Sequence, residues 1–206
     1  KIMAGAYRPD RGTILFDGEE VVFNHPVEAQ QLGVGIIYQE FNLLPERTVA
    51  QNIFLGREPA RFGVINPPLL NKQTEDVLND LGVEEMINPT ELVSTLSVAE
   101  QQLVEIAKAV SLNAKVLIMD EPTASLTSTE VNLLFDLVET LKAKGLAIIF
   151  ISHRLSEVFG ISDKITVLKD GQLVDTKDIS EVTTEDVVYM MVGRALDHYF
   201  PPLGDE

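Results

Sequence analysis

Val116-Leu117-Ile118-Met119-Asp120-Glu121-Pro122-Thr123 is the stretch whose reading decides the fold. Four apolar residues run directly into two adjacent carboxylates, so the segment reads as a buried strand that delivers both acids at its carboxyl end. In an open α/β sheet, ligands bind beyond the carboxyl ends of the strands. An Asp there can hold Mg²⁺, a hard cation that prefers oxygen ligands. A neighbouring Glu can orient or deprotonate an attacking water. The same two acids also suit a plainer role, ending a strand and capping the helix that follows.

Two further apolar runs flank this one in the chain. Residues 34–38 are apolar and β-branched, and residues 146–151 contain no polar side chain. Both read as buried strands. Between them lie helical spacings at 98–111 and 129–144, the second ended by Gly145. Strands alternating with helices imply a largely parallel sheet covered on both faces. Hairpins are predicted at 13–23, around Asp17-Gly18, and at 165–175, around Asp170-Gly171. Pro26 opens a short helix over 27–32 that Gly33 closes, and a second short helix covers 49–55. Residues 57–70, with Pro59, Gly63, Pro67 and Pro68, read as irregular. A helix then runs from Asn71 or Lys72 to Leu81 and stops at Gly82. Short helices at 156–159 and 184–191 complete the expected set, and residues 71–111 are expected to contribute to a helical subdomain.

The 206 residues carry 32 acidic and 16 basic side chains, a formal net charge of −16. The excess is even, −8 over residues 1–100 and −8 over 101–206, so no acidic tail accounts for it. Clustered Lys and Arg are the footprint of a nucleic-acid binder and of a polybasic membrane anchor, and neither is present. The chain has no cysteine, which excludes a disulfide scaffold, a thiol nucleophile and a thiolate metal site. The longest apolar stretches, such as 146–151, fall far short of the ~20 residues of a spanning helix. Lys1-Ile2-Met3-Ala4-Gly5 has neither an initiator Met nor the pattern of a signal peptide. It reads as the last turns of a helix capped by Gly5, and the chain is expected to be a piece of something longer.

Ser97 followed three residues later by Glu100, ahead of an apolar helix, is a capping box. A Ser-capped helix start also turns free N–H groups and the positive end of the helix dipole toward an anion such as phosphate. Gln39 follows the strand at 34–38, and His153 follows the strand at 146–151. Each alone reads as a loop residue. Together with Asp120-Glu121 they form a pattern, because a parallel sheet delivers all three strand ends to one edge.

These pieces, in this order, resemble the ATP-binding subunit of an ABC transporter, over essentially the whole chain. Gln39 is similar to the Q-loop glutamine, Ser97 lies in what resembles the signature motif, and residues 116–121 resemble the Walker B strand. Residues 124–127 take the D-loop position, and His153 resembles the switch histidine. Asn52-Ile53-Phe54-Leu55-Gly56-Arg57-Glu58, Val104-Glu105-Ile106-Ala107-Lys108-Ala109, Thr123-Ala124-Ser125-Leu126-Thr127 and Met190-Met191-Val192-Gly193-Arg194 resemble the monosaccharide-importer branch, of the ribose or galactose type. In that branch two such domains are usually fused, and Pro201-Pro202 resembles the start of the linker at 195–206 that ends the first.

The resemblance implies a P-loop NTPase-like α/β fold: a mostly parallel sheet, an antiparallel patch and a helical subdomain. It implies ATP and Mg²⁺, with Asp120 and Gln39 on the metal, Glu121 as catalytic base and His153 on the γ-phosphate. Ser97 would bind the ATP of a second nucleotide-binding domain. Transmembrane permease subunits are the implied partners, with an indirect link to a sugar-binding protein, at the cytoplasmic face of the cell membrane. Three departures stand out. The phosphate-binding loop GxxxxGK[ST] is absent from the 206 residues and should end a few residues before Lys1, so the domain is expected to be N-terminally truncated and inactive alone. The signature reads Val98-Ala99-Glu100 in place of Gly-Gly-Gln, and Glu100 suits a phosphate neighbour only if it turns back to the Ser97 N–H. Thr127 replaces the usual D-loop Asp. Two alternatives are a non-catalytic regulatory or structural fragment, and an ABC-type ATPase of DNA maintenance, which the acidic balance disfavours.

Overall fold

The structure, a computed structural model, describes residues 1–192. The linker expected at 195–206, Gly193 and Arg194 lie outside these residues. The described chain divides into two compact units, with the boundary between Ser152 and His153.

The first unit is built on a three-stranded parallel sheet. Strand β3 (Val34–Ile37) and strand β7 (Ala147–Ile151) flank β6 (Val116–Asp120), which forms the centre. The register sets Ile37 opposite Met119 and Asp120 opposite Ile151. A sheet buried on both sides needs apolar residues on both faces. Val34, Ile36, Val116, Ile118 and Ile149 share one face. They pack with Phe23 and Ala29, under helix α1 (Pro26–Leu32) and the hairpin of β1 (Ile14–Phe16) with β2 (Glu19–Val21). The opposite face meets α4 (Val98–Val110) at β3 and α5 (Ser128–Ala143) at β7. There Phe135 of α5 meets Phe150 edge-on, ring centres 6.1 Å apart. Gly35 is where α4 comes closest: a Cβ on it would lie 3.3 Å from the Ala109 methyl and 3.1 Å from Leu117.

Helix ends follow the sequence signals closely. His25 caps α1, its Nδ1 accepting from the Val27 N–H, and Pro26 opens the helix. Gly33 closes it in the left-handed region at φ +105°, and its carbonyl then accepts from the N–H of both Lys115 and Val116. One residue therefore ends a helix and starts the central strand pairing. Residues 1–6 form a turn, closed by hydrogen bonds from Gly5 to Ile2 and from Ala6 to Lys1.

Residues 57–70 depart from expectation. They contain a third hairpin, β4 (Ala60–Arg61) with β5 (Val64–Ile65), turning at Phe62-Gly63 with both φ positive. Helix α3 (Pro67–Leu81) then begins at Pro67, not at residue 71 or 72. Asn66 caps it, accepting from the Leu69 N–H at 3.2 Å. Two prolines read as breakers are in fact the first two helical residues, where a missing N–H costs nothing. Helix α2 (Val49–Ile53) packs with α3 and α4, so the antiparallel and helical parts exceed what the spacing indicates.

The second unit holds α6 (Leu155–Ile161), the hairpin of β8 (Lys164–Lys169) with β9 (Gln172–Asp178), and α7 (Thr184–Val192). Its small core is Val158, Ile165, Val167 and Val187, with Leu155, Phe159, Ile179 and Met190 against it.

Gly33→Ala should lower the unfolding free energy by about 1–2 kcal/mol, read by urea denaturation. The added Cβ is strained at this φ and would sit 3.2 Å from the Lys115 backbone N.

Candidate functional site

Parallel pairing carries three of the sequence's candidates to one sheet edge. Strand β6 ends on Asp120, and Glu121 follows it. Gln39 comes two residues after β3, whose register with β6 puts it at the same carboxyl edge. Glu121 extends the ladder past the strand, its N–H donating to the Ile151 carbonyl at 2.9 Å. Its φ is +52°. A residue with a Cβ is disfavoured in that region by about 1 kcal/mol or more, and such strain gathers at functional positions. Here it breaks the strand's alternation immediately after Asp120, so two consecutive carboxylates do not follow the ordinary up-and-down pattern.

The loop that carries Gln39 is exposed, yet it is fastened to two helices. Asn52 of α2 is fully buried. Its Oδ1 accepts from the Leu44 N–H at 2.7 Å, and its Nδ2 reaches the carbonyls of Leu44, Arg47 and Thr48. Glu105 of α4 is buried, and its Oε1 accepts from the Asn42 N–H at 2.6 Å. Lys108, one turn on, donates to the Asn42 carbonyl at 3.1 Å. Burial pushes the Glu105 carboxyl above the usual range, opposed by Lys108 and by the Asn42 amide. Arg57, past the end of α2, donates to the carbonyls of Ile53 and Ser111 and to the Ser111 hydroxyl, joining the far ends of α2 and α4.

Ser97 caps α4 as the sequence indicates. Its hydroxyl accepts from the Glu100 N–H at 3.3 Å, and the Glu100 carboxylate accepts from the Ser97 N–H at 2.7 Å. Glu100 does turn back on the cap. No hydrogen bond links Ser97 to Asp120 or Glu121 among the described residues. His153 is the first residue of the second unit, two residues after β7.

Sequence reasoning assigned no role to Asn52, Glu105 or Lys108, although all three lie in stretches singled out for their resemblance. The available signal is a pair of polar residues, Gln102 and Glu105, one turn apart among the apolar positions of an amphipathic helix. Among the described residues, the side-chain amide nitrogen of Gln102 is buried without a hydrogen-bond partner.

The donors at the sheet edge are hard oxygens, the Asp120 carboxylate with the Gln39 side chain on the neighbouring strand end. No group of three or more His, Asp or Glu side chains able to hold a metal ion occurs among the described residues. A donor-poor oxygen site fits Mg²⁺, which keeps waters and substrate phosphates as ligands, better than it fits Ca²⁺ or zinc.

The sequence profile of the ABC transporter family matches residues 1–124. The chain belongs to the ABC transporter family. A ribose import ATP-binding protein of Geobacillus kaustophilus is 48% identical over 203 residues, 98% of this chain and 41% of that protein. A galactose/methyl galactoside import ATP-binding protein of Yersinia pestis is 43% identical over 201 residues, 98% of this chain and 39% of that protein. The chain thus spans about two-fifths of the length of the curated relatives it matches. Among solved structures, the ADP conformation of an ATP-binding cassette of an ABC transporter aligns with a TM-score of 0.76 at 25% identity, covering 94% of this chain and 81% of that one. An ABC transporter component from Clostridium perfringens aligns at 0.74 and 26% identity, covering 96% and 78%. These ABC cassettes share the α/β architecture, parallel sheet and antiparallel strands included.

Two substitutions test this reading of the buried polar groups. Asn52→Ala leaves the Leu44 amide without its partner and should cost about 2–3 kcal/mol in chemical denaturation. Gln102→Met removes an unpaired buried donor at nearly constant volume and should raise stability by about 1 kcal/mol.

Proposed function

We propose that this chain is most of the first nucleotide-binding domain of an ATP-binding subunit that powers import of a simple sugar across the cytoplasmic membrane. The observation that carries the reading is the strained Asp120-Glu121 pair at the carboxyl edge of a central parallel strand, with Gln39 on the adjacent strand end. Membership of the ABC family supports it, and so do the ribose- and galactose-import names of the relatives.

In this reading ATP is the substrate and Asp120 and Gln39 are the residues that would hold Mg²⁺. A bound Mg²⁺ supplies charge neutralisation at the β- and γ-phosphates. Glu121 orients a water for in-line attack on the γ-phosphorus and takes up its proton as the P–O bond to the leaving ADP breaks. Ser97 binds the γ-phosphate of ATP held on a second nucleotide-binding domain, through its hydroxyl and the amides at the start of α4. The support for His153 as a γ-phosphate contact is its position after β7 together with the family pattern. The implied partners are transmembrane permease subunits, which would hold the chain at the cytoplasmic face, and through them a sugar-binding protein. A net charge of −16 leaves no basic footprint for nucleic acid.

A second reading has its own observation. The 206 residues contain no GxxxxGK[ST], the loop whose backbone and Lys cradle the phosphates. By this reading the chain alone is a non-catalytic piece, competent only within a longer parent.

Steady-state phosphate release separates these statements. The 206-residue chain should show no turnover with MgATP. The full-length parent should turn over, and Glu121→Gln in it should cut kcat at least ~100-fold while ATP still binds. Turnover by the chain alone would overturn the need for the missing loop. A Glu121→Gln parent at normal rate would overturn the role given to Glu121.

A further inference from the structure

We propose that Glu105 is a positioning residue: with Lys108 it clamps the backbone of Asn42, so that the Gln39 loop and helix α4 move as one body. The inference rests on the roles proposed for Gln39 and Ser97, and adds a physical link between them.

Asn42 lies three residues after Gln39. Its N–H is held by the Glu105 carboxylate at 2.6 Å and its C=O by the Lys108 ammonium at 3.1 Å. Glu105 and Lys108 stand three apart on α4, hence on one helix face. Both bonds are charge-assisted, roughly twice as strong as neutral ones, and opposite charges meet opposite ends of one residue's backbone. Eight residues separate Glu105 from Ser97, about 12 Å of helix at 1.5 Å per residue. The cap, the helix and the loop therefore form one continuous mechanical connection.

The plain reading is that Glu105 is a buried polar group that found a partner. Its weakness is that the carboxylate is the more deeply placed of the two partners: Asn42 is exposed, whereas Glu105 is only 7% exposed. Burying a carboxylate is costly, and an apolar residue of similar volume at this point of α4 would cost less. The charge is accounted for by what it does to the loop: it fixes an exposed segment at one place on the helix. Asn52 fixes the next residues, 44–48, to α2 in the same manner, and Arg57 joins α2 to α4. The loop therefore cannot shift without moving α4. A displacement of Gln39 at the proposed site is passed through Asn42 to the helix whose first turn carries Ser97.

Hydrogen–deuterium exchange of the full-length parent tests the clamp without any nucleotide. Glu105→Ala should speed exchange in peptides over 39–47 about tenfold and leave β6 and α5 unchanged. Glu105→Gln keeps an acceptor and should restore protection. Lys108→Met should give an intermediate gain, and serves in place of Glu105→Ala if that variant does not fold. Turnover by the full-length parent tests the consequence: Glu105→Ala should lower kcat about tenfold with little change in KM for ATP, and Glu105→Gln should rescue it. Unchanged exchange over 39–47 in both Glu105→Ala and Lys108→Met overturns the clamp. Altered exchange with unchanged kcat overturns its link to turnover. Failure of the underlying reading shows separately, as normal turnover in Glu121→Gln.

Discussion

The pairing of β6 with β3 on one side and β7 on the other is the constraint from which the rest of the molecule follows. A strand with two parallel neighbours must be apolar on both faces, and Leu117, Ile118 and Met119 are all buried. It must also stop where polar groups can reach solvent, so the transition from Met119 to Asp120 is a change of environment as much as of sequence. The carbonyl of Gly33 anchors the register by accepting from two successive amides of the central strand region. With that register set, Gln39 and the two acids have no choice of edge. The left-handed Glu121 then redirects the chain, and residues 122–127 lead into α5.

Helix α4 joins the two ends of the chemistry. Its first turn is Ser97 and Glu100, locked in a reciprocal cap; its middle carries Glu105 and Lys108 against the loop; its last turn meets Arg57 through Ser111. An exposed surface loop is ordinarily among the less stable parts of a protein. This one is tied at Asn42, Leu44, Arg47 and Thr48, by side chains from two helices that themselves pack together. The polar groups are few and almost fully used, which is how a buried polar network rigidifies instead of weakening its surroundings.

The strands and the ends of most helices were legible because their signals are local. Gly33 and Gly82 sit in the left-handed region after their helices, and Thr48, Ser97 and Thr127 each form a capping box with the residue three on. Asp120-Glu121 could be read because an apolar run ends abruptly in charge. Residues 57–70 are ambiguous because proline and glycine mark both turns and helix starts. Only Asn66 as a cap distinguishes the two cases, and its partner Leu69 lies within the same segment. Glu105 and Asn52 were out of reach for a different reason. Their partners are 63 and 8 residues away on a loop without periodicity, and no pattern in the chain shows that a buried carboxylate will meet a particular amide.

The acidic surface sharpens what the site must do. A net −16 repels a nucleotide triphosphate at long range, an effect that salt screens within about 10 Å at 0.1 M. Attraction must then come from groups in contact. At the start of α4 the positive end of the helix dipole faces outward, but the Glu100 carboxylate already rests 2.7 Å from the Ser97 N–H. In the role proposed for Ser97, a phosphate arriving there would meet a negative charge already in place, and would gain the cap only by turning Glu100 away. A neutral Gln can close the same reciprocal cap, as Gln51 does for Thr48, but Glu100 closes it with a full negative charge. Under the proposed role of Ser97, the carboxylate that stabilises α4 would therefore raise the threshold for engaging that serine, so cap stability and phosphate affinity would oppose each other at this one residue.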